Sequence, residues 1–546
     1  MGVPKFTAWL RQQQKNFNKY FIVKQPRNID NLFIDANSTI YDVFSNIDKK
    51  VLNEVKSINQ LEELIIDGVT RFYDGIIDLI DPKLIYIAID GVVPFSKITQ
   101  QRIRRYTSYY VNESDDSINN DIVKSWHPNS NISPGTPFMQ KLNIALTTYI
   151  NTKNKENKRQ YMYSSFEHNG EGEHKIIQYI KEFTDEDTAN MIYGNDTDII
   201  FLSVISYICN SSKIFLFKTF EKQNQFYNVK YITDLLINII TDFVVKNDIK
   251  YRVNKLNVLD LIILCFIIGN DFLQHIPFID AFKLPYVILS YVTSLNKFKG
   301  DNIIKISNSN YGINYFNLFQ TIQTLNEKET FLFKSAYDEN KLMINNKKPK
   351  KKVIENIRIN QGDYDYFDSI VINDNDIVNN SSLINYKYNY YNYYLKTNNN
   401  LILNQLFKNY FEGFNWTIDY YFNVRIDKNK ILDGNCLDWD WYFKYPCVPF
   451  VSDLMNYLSS HWEELDKIER RELKTNPLST NQQLFYIIPK EYLKDINLEL
   501  FNQLSKYPFI SPIKSKIDTV HKSKLWECHA IVPLIDSSII RSIIKF

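Results

Sequence analysis

The chain contains little cysteine, little glycine and almost no net charge. Only 5 of its 546 residues are Cys and 14 are Gly, while 64 Lys and Arg nearly balance 62 Asp and Glu. The cysteines are scattered, odd in number and form no CxxC pair, which argues against a disulfide framework or a zinc site. A net charge of +2 does not indicate any class of binding partner, so any site for a polyanion must be local.

Long apolar runs are also missing. The longest, LIILCFIIG at 261–269, is too short to cross a bilayer, and the N-terminal MGVPKFTAWLRQQQKNF lacks the apolar core of a signal peptide. Apolar residues still make up 44% of the chain, enough for a substantial core. We therefore expect a soluble, monomeric, cytoplasmic protein without membrane contact. The basic run KKPKKK (347–352) is the one feature that could direct it to the nucleus.

Residues 1–340 have the pattern of an α/β domain. Short apolar, β-rich runs alternate with stretches of helical period such as 51–80. This alternation predicts a mainly parallel sheet with helices on its faces. The four runs are NLFIDAN (31–37), KLIYIAID (83–90), NMIYGND (190–196) and KIFLFKTF (213–220).

The composition changes beyond this domain. Residues 341–383 contain the basic run and an Asn- and Asp-rich stretch, which indicate an exposed linker or insertion, or alternatively a phosphate-binding patch. Residues 384–546 are rich in aromatic side chains and show no strand alternation. We expect this third part to form helices and long loops that pack on the first domain.

Acidic side chains recur where apolar runs end. Asp35 ends NLFID, Asp90 ends LIYIAID, and Asp196 and Asp198 follow NMIYG. Asp271 follows another apolar run, LIILCFIIGN. Ligands of open α/β sheets bind at the carboxyl ends of the strands, so these acids should form one cluster. In an extended GNDTD segment, two Asp that are two positions apart would point the same way.

The stretch EHNGEGEH (167–174) concentrates like charges around two glycines. Like charges held close are unfavourable unless a counter-charge offsets them, so this is either a solvated turn or a site for a cation. Residues two apart face away from each other on a helix. Glu171 should therefore lie in the loop and Glu173 in the first turn of the next helix, with Gly170 and Gly172 supplying backbone freedom.

Together these motifs supply seven carboxylates. For any single acid, a strand-end cap or a solvated turn is the ordinary explanation, but their repetition in one domain favours bound cations. Oxygen ligands select Mg²⁺ or Mn²⁺ over softer metals. Two such ions about 3.5–4 Å apart would activate water and stabilise the leaving oxygen in phosphodiester cleavage.

A basic helical stretch, GVVPFSKITQQRIRRY (91–106), follows Asp90 directly. On a helix, Lys97 shares one face with Gln101 and with the last two arginines. An ammonium and a planar guanidinium together suit a terminal phosphate, although an ordinary basic surface helix would look the same. Its four positive charges, with no acid among them, are Lys97, Arg102, Arg104 and Arg105.

These motifs resemble, in order, those of the XRN family of 5′→3′ exoribonucleases. MGVPKFTAWL is similar to the opening of that family, and IDANSTIY, AIDGVVPFSKITQQRIRRY, EHNGEGEHKII, YGNDTDIIFL and IGNDFLQHIP each resemble a further family motif. The resemblance resumes in FEGFNWTIDYY, WDWYFKYPCVPFVSDL, NPLSTNQQLFYIIP and LWECHAIVPLID. It covers nearly the whole chain, with a break at about 340–385.

The resemblance implies a PIN/FEN-like nuclease core and a processive 5′→3′ exoribonuclease of RNA decay. Such an enzyme would convert single-stranded RNA with a 5′-monophosphate into nucleoside 5′-monophosphates, using two Mg²⁺ or Mn²⁺ ions. The implied metal ligands are Asp35, Asp90, Glu171, Glu173, Asp196, Asp198 and Asp271. The implied phosphate ligands are Lys97, Gln101, Arg104 and Arg105.

The resemblance also implies that the first base stacks between two aromatic side chains. Tyr41 takes the place of the family's histidine, and its partner would be Trp439 or Trp441. The chain departs from the family at Ser38, where Gly is usual, and in FKYPCVP, where the family reads close to YPYHYAP. We do not find the extra C-terminal domains of the family's long cytoplasmic members or the CxxC insertion of some nuclear members, so we expect a minimal catalytic core.

Two other functions stay open. A flap-type DNA nuclease shares the acid-rich α/β core, but it would cut internally without needing a 5′-phosphate. A catalytically silent RNA-binding protein would bind RNA without Mg²⁺-dependent turnover.

Overall fold

A computed structural model describes residues 3–111, 118–220, 223–300, 302–307, 310–336, 382–423, 437–467, 475–513, 515–518 and 529–545. The interdomain segment predicted at 341–383, with the basic run at 347–352, lies almost entirely outside the described residues. Its assignment as a linker or insertion therefore stays a prediction.

A seven-stranded sheet occupies the centre of the first region (residues 1–340), as far as the structure describes it. Its spatial order is β1-β7-β6-β5-β2-β3-β4. The five strands from β6 to β4 pair in parallel, and β7 and β1 add an antiparallel edge. The predicted mainly parallel sheet is confirmed. The strands are β1 (Ile22–Val23), β2 (Asn31–Asp35), β3 (Leu84–Ala88), β4 (Gln160–Ser164), β5 (Ala189–Tyr193), β6 (Lys213–Phe220) and β7 (Gln223–Asn228).

Helices cover both faces of the sheet. They are α1 (Phe6–Asn16), α2 (Ala36–Ser45), α3 (Lys49–Glu54), α4 (Ile58–Ile80), α5 (Phe95–Val111), α6 (Asp121–Ser125), α7 (Pro128–Asn131), α8 (Pro137–Lys155), α9 (Gly172–Phe183), α10 (Asp198–Asn210), α11 (Val229–Lys246), α12 (Lys255–Cys265), α13 (Leu284–Ser294) and α14 (Tyr315–Asn326). Short 3₁₀ turns lie at Phe266–Ile268, Ala281–Lys283 and Leu295–Lys297, and β8 (Ile304–Ser307) pairs with β9 (Asn310–Ile313).

The central strand β2 shows why these runs are continuously apolar. Leu32 and Ile34 belong to a core cluster that also contains residues of α2, α4 and α8. Phe33 points to the other face and belongs to the cluster that contains residues of α9 to α12. All three side chains are fully buried. A strand covered on both faces needs apolar residues at every position, and this is why the pattern does not alternate.

Two local predictions need correction. The helical stretch 51–80 is two helices, because Ser57 adopts extended backbone and its side chain caps α4 by accepting from the Gln60 N–H. The apolar run 261–269 is not a strand, although the grouping of Asp271 with the strand-end acids treated it as one. It forms the end of α12 and a 3₁₀ turn, and it is buried throughout. A uniformly apolar run does not distinguish a buried helix from a buried strand.

The second region, described from residue 382 onward, is mostly helical and packs on the first. Its helices are α15 (Leu383–Leu395), α16 (Asn400–Ile418), α17 (Val451–Asp466), α18 (Thr480–Ile487), α19 (Lys490–Ile496), α20 (Leu498–Leu504) and α21 (Ser537–Ile543), with a π-helical turn at Asp419–Asn423 after α16. The predicted helical, aromatic-rich character is confirmed. A small antiparallel pair, β10 (Lys516–Asp518) with β11 (His529–Ile531), was not predicted.

Helix α5 joins the two regions. Its apolar side chains Phe95 and Ile98 share a core with α18, and β11 also packs against α5. In the described part of the chain, no helix is both long enough and apolar enough to cross a membrane.

Candidate active site

A cavity of about 1030 Å³ opens at the carboxyl end of the parallel strands, and both regions line it. The seventh predicted acid, Asp198, is buried and does not line the cavity, but the charges of the lining residues Asp271 and Lys97 act on it. The other six predicted acids line the cavity itself: Asp35, Asp90, Glu171, Glu173, Asp196 and Asp271. The structure thus brings together every acid that the sequence placed in one cluster.

Strands β2 and β3 deliver the first two acids. Asp35 is the last residue of β2, and Asp90 follows two residues after β3 ends. Asn37 ties the two loops together, because its Nδ2 donates to Asp90 Oδ2 (2.9 Å) and its Oδ1 accepts from the Asp90 N–H (3.1 Å). Parallel pairing of β2 with β3 therefore fixes these two carboxylates at neighbouring strand ends.

The EHNGEGEH loop delivers the next two acids as predicted. Glu171 lies immediately before α9, and Glu173 lies in its first turn. Between them, the Gly172 N–H donates to Asp90 Oδ1 (2.6 Å). A Cβ on Gly172 would lie 2.9 Å from both Ala88 O and Asp35 Oδ1, so only glycine fits this close approach.

The prediction that an extended backbone carries Asp196 and Asp198 was wrong. Asp198 is the first residue of α10, and Thr197 before it already has helical angles (φ −74°, ψ −29°). The segment is therefore not extended. The charges of Lys97 and Asp271 nonetheless act on both carboxylates, because the loop turns into the helix beside the cavity.

Asp271 reaches the cavity by a different route from the strand-end acids. It follows the 3₁₀ turn after α12, where Gly269 has a positive φ of 98°. A Cβ at Gly269 would lie 2.7 Å from the His275 N, so the chain must turn tightly here. The acid is delivered by a buried helix rather than by the sheet.

Lys97 on α5 lies among the acids. Its Nζ is 2.6 Å from Glu171 Oε2 and 2.6 Å from Asp271 Oδ2, and its side chain is only 11% exposed. Burial lowers the pKa of Lys97, but the carboxylates of Asp271 and Glu171 outweigh it and hold the pKa well above its usual value. In this structure Lys97 thus bridges two acids.

The remaining negative charge is poorly compensated. Burial, and then neighbouring carboxylates, raise the pKa of Glu173 well above its usual range. Burial also raises the pKa of Glu171 to about 7, although Lys97 opposes the shift, and that of Asp198 to about 6. Glu173 Oε2 is buried and has no hydrogen-bond partner in the described part of the chain. Burial and mutual repulsion thus outweigh the positive charge of Lys97 at all three groups.

This donor set fits hard divalent cations. Carboxylate oxygens are the ligands that Mg²⁺ and Mn²⁺ prefer, and cations would offset the repulsion. Among the described residues, however, no three His, Cys, Asp or Glu side chains already form a metal cage. Lys97 holds two of the acids instead, so cation binding would require this ammonium and the carboxylates around it to shift.

One face of α5 forms a basic wall of the same cavity, lined by Lys97, Gln101, Arg104 and Arg105. Arg105 is buried and held in place, because its Nε donates to Asn129 O (2.5 Å) and its Nη2 to Ser133 Oγ (2.8 Å). Burial lowers the pKa of Arg105 to about 10. Arg104 is exposed to solvent. The predicted phosphate-binding face is therefore directed toward the acids.

Arg102 has a different role from its neighbours. It is fully buried on the opposite face of α5, and its guanidinium donates to the backbone oxygens of Tyr486, Ile510 and Pro533. The rings of Tyr106 and Tyr486 lie within 4.5 Å and 4.4 Å of its guanidinium carbon. Arg102 thus fastens α5 to the second region.

The predicted stacking residues are only partly at the cavity. Tyr41 lines it, but neither Trp439 nor Trp441 is among the lining residues. Trp441 stacks on Trp416 at 5.3 Å between ring centroids, and Trp439 contributes backbone bonds, accepting from the Phe95 N–H. The aromatic side chains at the wall from that segment are Tyr442, Phe443 and Tyr445. The stacking role stays a prediction.

Comparison with known families identifies this architecture. Residues 1–214 match the family model described as the XRN 5'-3' exonuclease N-terminus, and residues 373–544 match the Xrn1 helical domain. The chain belongs to the XRN family. The resemblance stated from the motifs is thereby confirmed.

Similar XRN proteins come from animals and fungi. The chain is 26% identical to human 5'-3' exoribonuclease 1, over 98% of the chain and 33% of that protein. It is 27% identical to Saccharomyces cerevisiae 5'-3' exoribonuclease 1, over 53% of the chain and 20% of that protein. A Drosophila melanogaster 5'-3' exoribonuclease 2 homolog is 23% identical over 98% of the chain and 70% of its own length. The chain thus spans about a third or less of the first two relatives.

Sequence reasoning missed two lysines that lie behind the acids of this XRN cavity. Lys175 Nζ donates to the backbone oxygens of Ile89 (2.6 Å) and Ser165 (3.0 Å), and burial lowers its pKa to about 7. Lys218 Nζ donates to those of Asn195 (3.1 Å) and Asp196 (2.6 Å), and burial lowers its pKa to about 8. Each lysine secures an acid-bearing loop. The position of Lys175, two residues after Glu173, is a weak sequence signal for its role. Nothing in the sequence around Lys218 indicates a role near the acids.

Proposed function

We propose that the chain is a 5′→3′ exoribonuclease that degrades single-stranded RNA with a 5′-monophosphate, processively, to nucleoside 5′-monophosphates. The observation that carries the proposal is one cavity with an acidic wall at the sheet edge and a basic wall on α5. A terminal phosphate on the basic wall would place the first phosphodiester near the acids. The names of the similar proteins, which are 5'-3' exoribonucleases, support the same function.

The cofactor that we propose is a pair of Mg²⁺ or Mn²⁺ ions, held by the seven acids of the cluster. Such ions activate water and stabilise the leaving oxygen. The chain's own groups orient the acids around that position. Asn37 and the Gly172 N–H fix both oxygens of Asp90, and Lys218 holds the loop that carries Asp196.

The basic wall would bind the 5′-phosphate. Arg105 is already oriented by Asn129 and Ser133, so little rotamer freedom is lost on binding. Arg104 and Gln101 would complete the phosphate contacts, and Lys97 lies between them and the acids. We propose that this wall accepts a monophosphate and excludes a cap or triphosphate. Phosphate capture at each new 5′ end would keep the enzyme on one strand.

We further propose that Tyr41 stacks on the first base, with Trp439 or Trp441 as its partner. Stacking tolerates every base, because each has a π-face. Action as a monomer in the cytoplasm, as part of RNA decay, completes the proposal.

The test uses one 3′-labelled RNA with either a 5′-monophosphate or a 5′-triphosphate, each with Mg²⁺ or EDTA. We expect loss of the monophosphate RNA alone, in Mg²⁺ alone, with mononucleotides as the product. Equal loss of both RNAs would remove the phosphate site from the proposal. Internal cleavage of a 5′-flap DNA would favour the flap-nuclease function, and tight RNA binding without turnover would favour the silent binder.

A further inference from the structure

Two adjacent tyrosines of the second region bond to acids of the first. The Tyr420 hydroxyl donates to Glu171 Oε1, and the Tyr421 hydroxyl donates to Asp198 Oδ1 over 2.7 Å. Both tyrosines are buried, with 4% and 2% of their surface exposed. They belong to the stretch FEGFNWTIDYYF, more than 220 positions from the acids that they contact.

The local helix geometry brings both hydroxyls to the acids. Helix α16 ends at Ile418 and continues as the π-helical turn Asp419–Asn423, which contains the two tyrosines. Bonding from i to i+5 winds more residues into a turn, so consecutive side chains diverge less than in an α-helix. Adjacent residues can then reach acids on two different loops. Such turns are rare and are found frequently at functional sites.

Surrounding rings hold the two tyrosines in place. The Tyr420 ring stacks on Trp416 (5.1 Å between centroids, 15° between planes) and meets the rings of His174 (4.0 Å) and Phe272 (4.8 Å). His174 directly follows Glu173, and Phe272 directly follows Asp271. The tyrosine thus packs on the segments that carry two further acids of the cluster.

We propose that Tyr420 and Tyr421 are positioning residues that orient Glu171 and Asp198 toward bound divalent cations, so that the second region completes a metal site whose ligands come from the first. This inference rests on the proposed function. Hydrogen bonds to ligand carboxylates fix their orientation, and losing such an outer bond typically costs about 10–100-fold in metal affinity or activity.

The hydroxyls are the decisive atoms, and α16 offers a matched control. Tyr410 is also buried on this helix, but its hydroxyl has no hydrogen-bond partner in the described part of the chain. Tyr→Phe at 410, 420 or 421 removes one oxygen and keeps the ring. If the tyrosines only fill space, Tyr410→Phe, Tyr420→Phe and Tyr421→Phe should behave alike.

The experiment measures Mn²⁺ binding to the RNA-free full chain by calorimetry, for the unaltered protein and these three variants. Melting in EDTA and RNA affinity in EDTA are measured in parallel. We expect Tyr421→Phe and Tyr420→Phe to bind Mn²⁺ about 10-fold or more weakly. Tyr410→Phe should bind as the unaltered protein does, and RNA affinity in EDTA should be equal in all four.

The other outcomes separate this inference from the proposed function. Unchanged Mn²⁺ affinity in both active-site variants would overturn the positioning role while leaving a metal-dependent nuclease. A parallel loss of RNA affinity and melting temperature in EDTA would also overturn it, since the tyrosines would then be structural. If the unaltered protein binds no Mn²⁺, the metal-dependent mechanism itself fails.

Discussion

The two regions contribute different chemistry to one cavity. The first supplies the basic face of α5 and the seven predicted acids, which come from strand ends, helix starts and the turn after α12. The second supplies aromatic walls such as Tyr442 and Phe443, and the hydroxyls of Tyr420 and Tyr421 behind the acids. The reactive groups thus follow from local chain geometry, whereas their orientation depends on contacts between distant parts of the chain.

Helix α5 belongs to the first region but is held in place by the second. One face lines the cavity, while the other is held by the second region through Arg102 and through Tyr106, whose hydroxyl donates to Ser511 Oγ (2.8 Å). At its start, the Phe95 N–H donates to Trp439 O (2.9 Å). The proposed phosphate wall therefore depends on the second region for its position relative to the acids.

The largest effect should come from an acid of the first region. Asp198→Asn removes a negative charge from the cluster, and cation chemistry is worth several kcal/mol, so cleavage should fall by on the order of 1000-fold. RNA binding in EDTA should persist. Single-turnover rates on 5′-monophosphate RNA measure the loss. Glu186→Gln, in the exposed loop before β5, is the control, and equal rates for the two variants would contradict the cluster's role.

The contacts of Arg102 between the two regions should affect the stability of the protein more than its cleavage rate. Arg102→Met leaves the buried backbone oxygens of Tyr486 and Ile510, and the part-buried oxygen of Pro533, without their donor. This loss should lower the free energy of unfolding by about 3 kcal/mol or more. Urea unfolding measures this loss.

Arg104→Met, two positions away, should leave the unfolding midpoint unchanged, because Arg104 is exposed. It should instead lower the preference for 5′-monophosphate over 5′-hydroxyl RNA about 10-fold, since a charge-assisted bond to phosphate is worth about 1.5 kcal/mol or more. If the two arginine variants exchanged these phenotypes, the assignment of the two faces of α5 would be wrong.

A smaller effect should arise within the first region alone. Gly172→Ala inserts a methyl group 2.9 Å from Ala88 O and Asp35 Oδ1, which should cost about 1–3 kcal/mol and slow cleavage by roughly 10–100-fold through displaced acids. Gly75→Ala in α4 meets no atom within 4 Å and should stabilise the protein by about 0.5–1 kcal/mol. Melting and cleavage of both variants test this contrast, and equal behaviour would contradict it.

The smallest effect concerns a buried acid outside the cavity. Asp260 accepts from the Tyr291 hydroxyl (2.7 Å), the Asn302 amide (3.0 Å) and the Ile304 N–H (2.7 Å), and burial raises its pKa from 3.8 to about 6. The folded state thus holds this proton more tightly than the unfolded state. Stability from this group is complete below pH 3.8 and is lost as pH rises through about 6.

Asp260→Asn mimics the protonated acid and lacks this dependence. The unfolding free energy of the unaltered protein minus that of this variant should therefore decrease as the pH rises from about 4 to about 6.5. Urea unfolding at several pH values measures it. A constant or widening difference would mean that Asp260 is ionised throughout, and that its three donors offset burial more fully than proposed.

Much of the fold was predictable because the signals were local. The apolar runs that became β2, β3, β5 and β6 are long enough to recognise, and parallel strands place Asp35 and Asp90 at one edge. The placement of Glu171 in the loop and Glu173 in the helix was predictable because residues two apart face away from each other on a helix. The period of α5 separates the cavity face at Lys97, Gln101, Arg104 and Arg105 from Arg102, which lies off that face.

The remainder depended on information that one sequence does not carry. Asp271 follows a buried helix, whose uniformly apolar pattern is also that of a buried strand. Tyr420 and Tyr421 are two of 38 tyrosines, and only the packing of distant segments shows which hydroxyls meet an acid. The pairing of Lys97 with Glu171 and Asp271 likewise arises from tertiary contact, and its role as a phosphate ligand stays a prediction.

The most direct test of the proposed metal site is anomalous diffraction from crystals of the protein soaked in Mn²⁺. We expect manganese at the carboxyl edge of the sheet, coordinated by acids of the cluster, with Lys97 Nζ no longer 2.6 Å from both Glu171 and Asp271. The Tyr421 hydroxyl should still contact Asp198. If manganese were absent from this cavity and Lys97 still bridged the two acids, the acidic wall would not be a metal site.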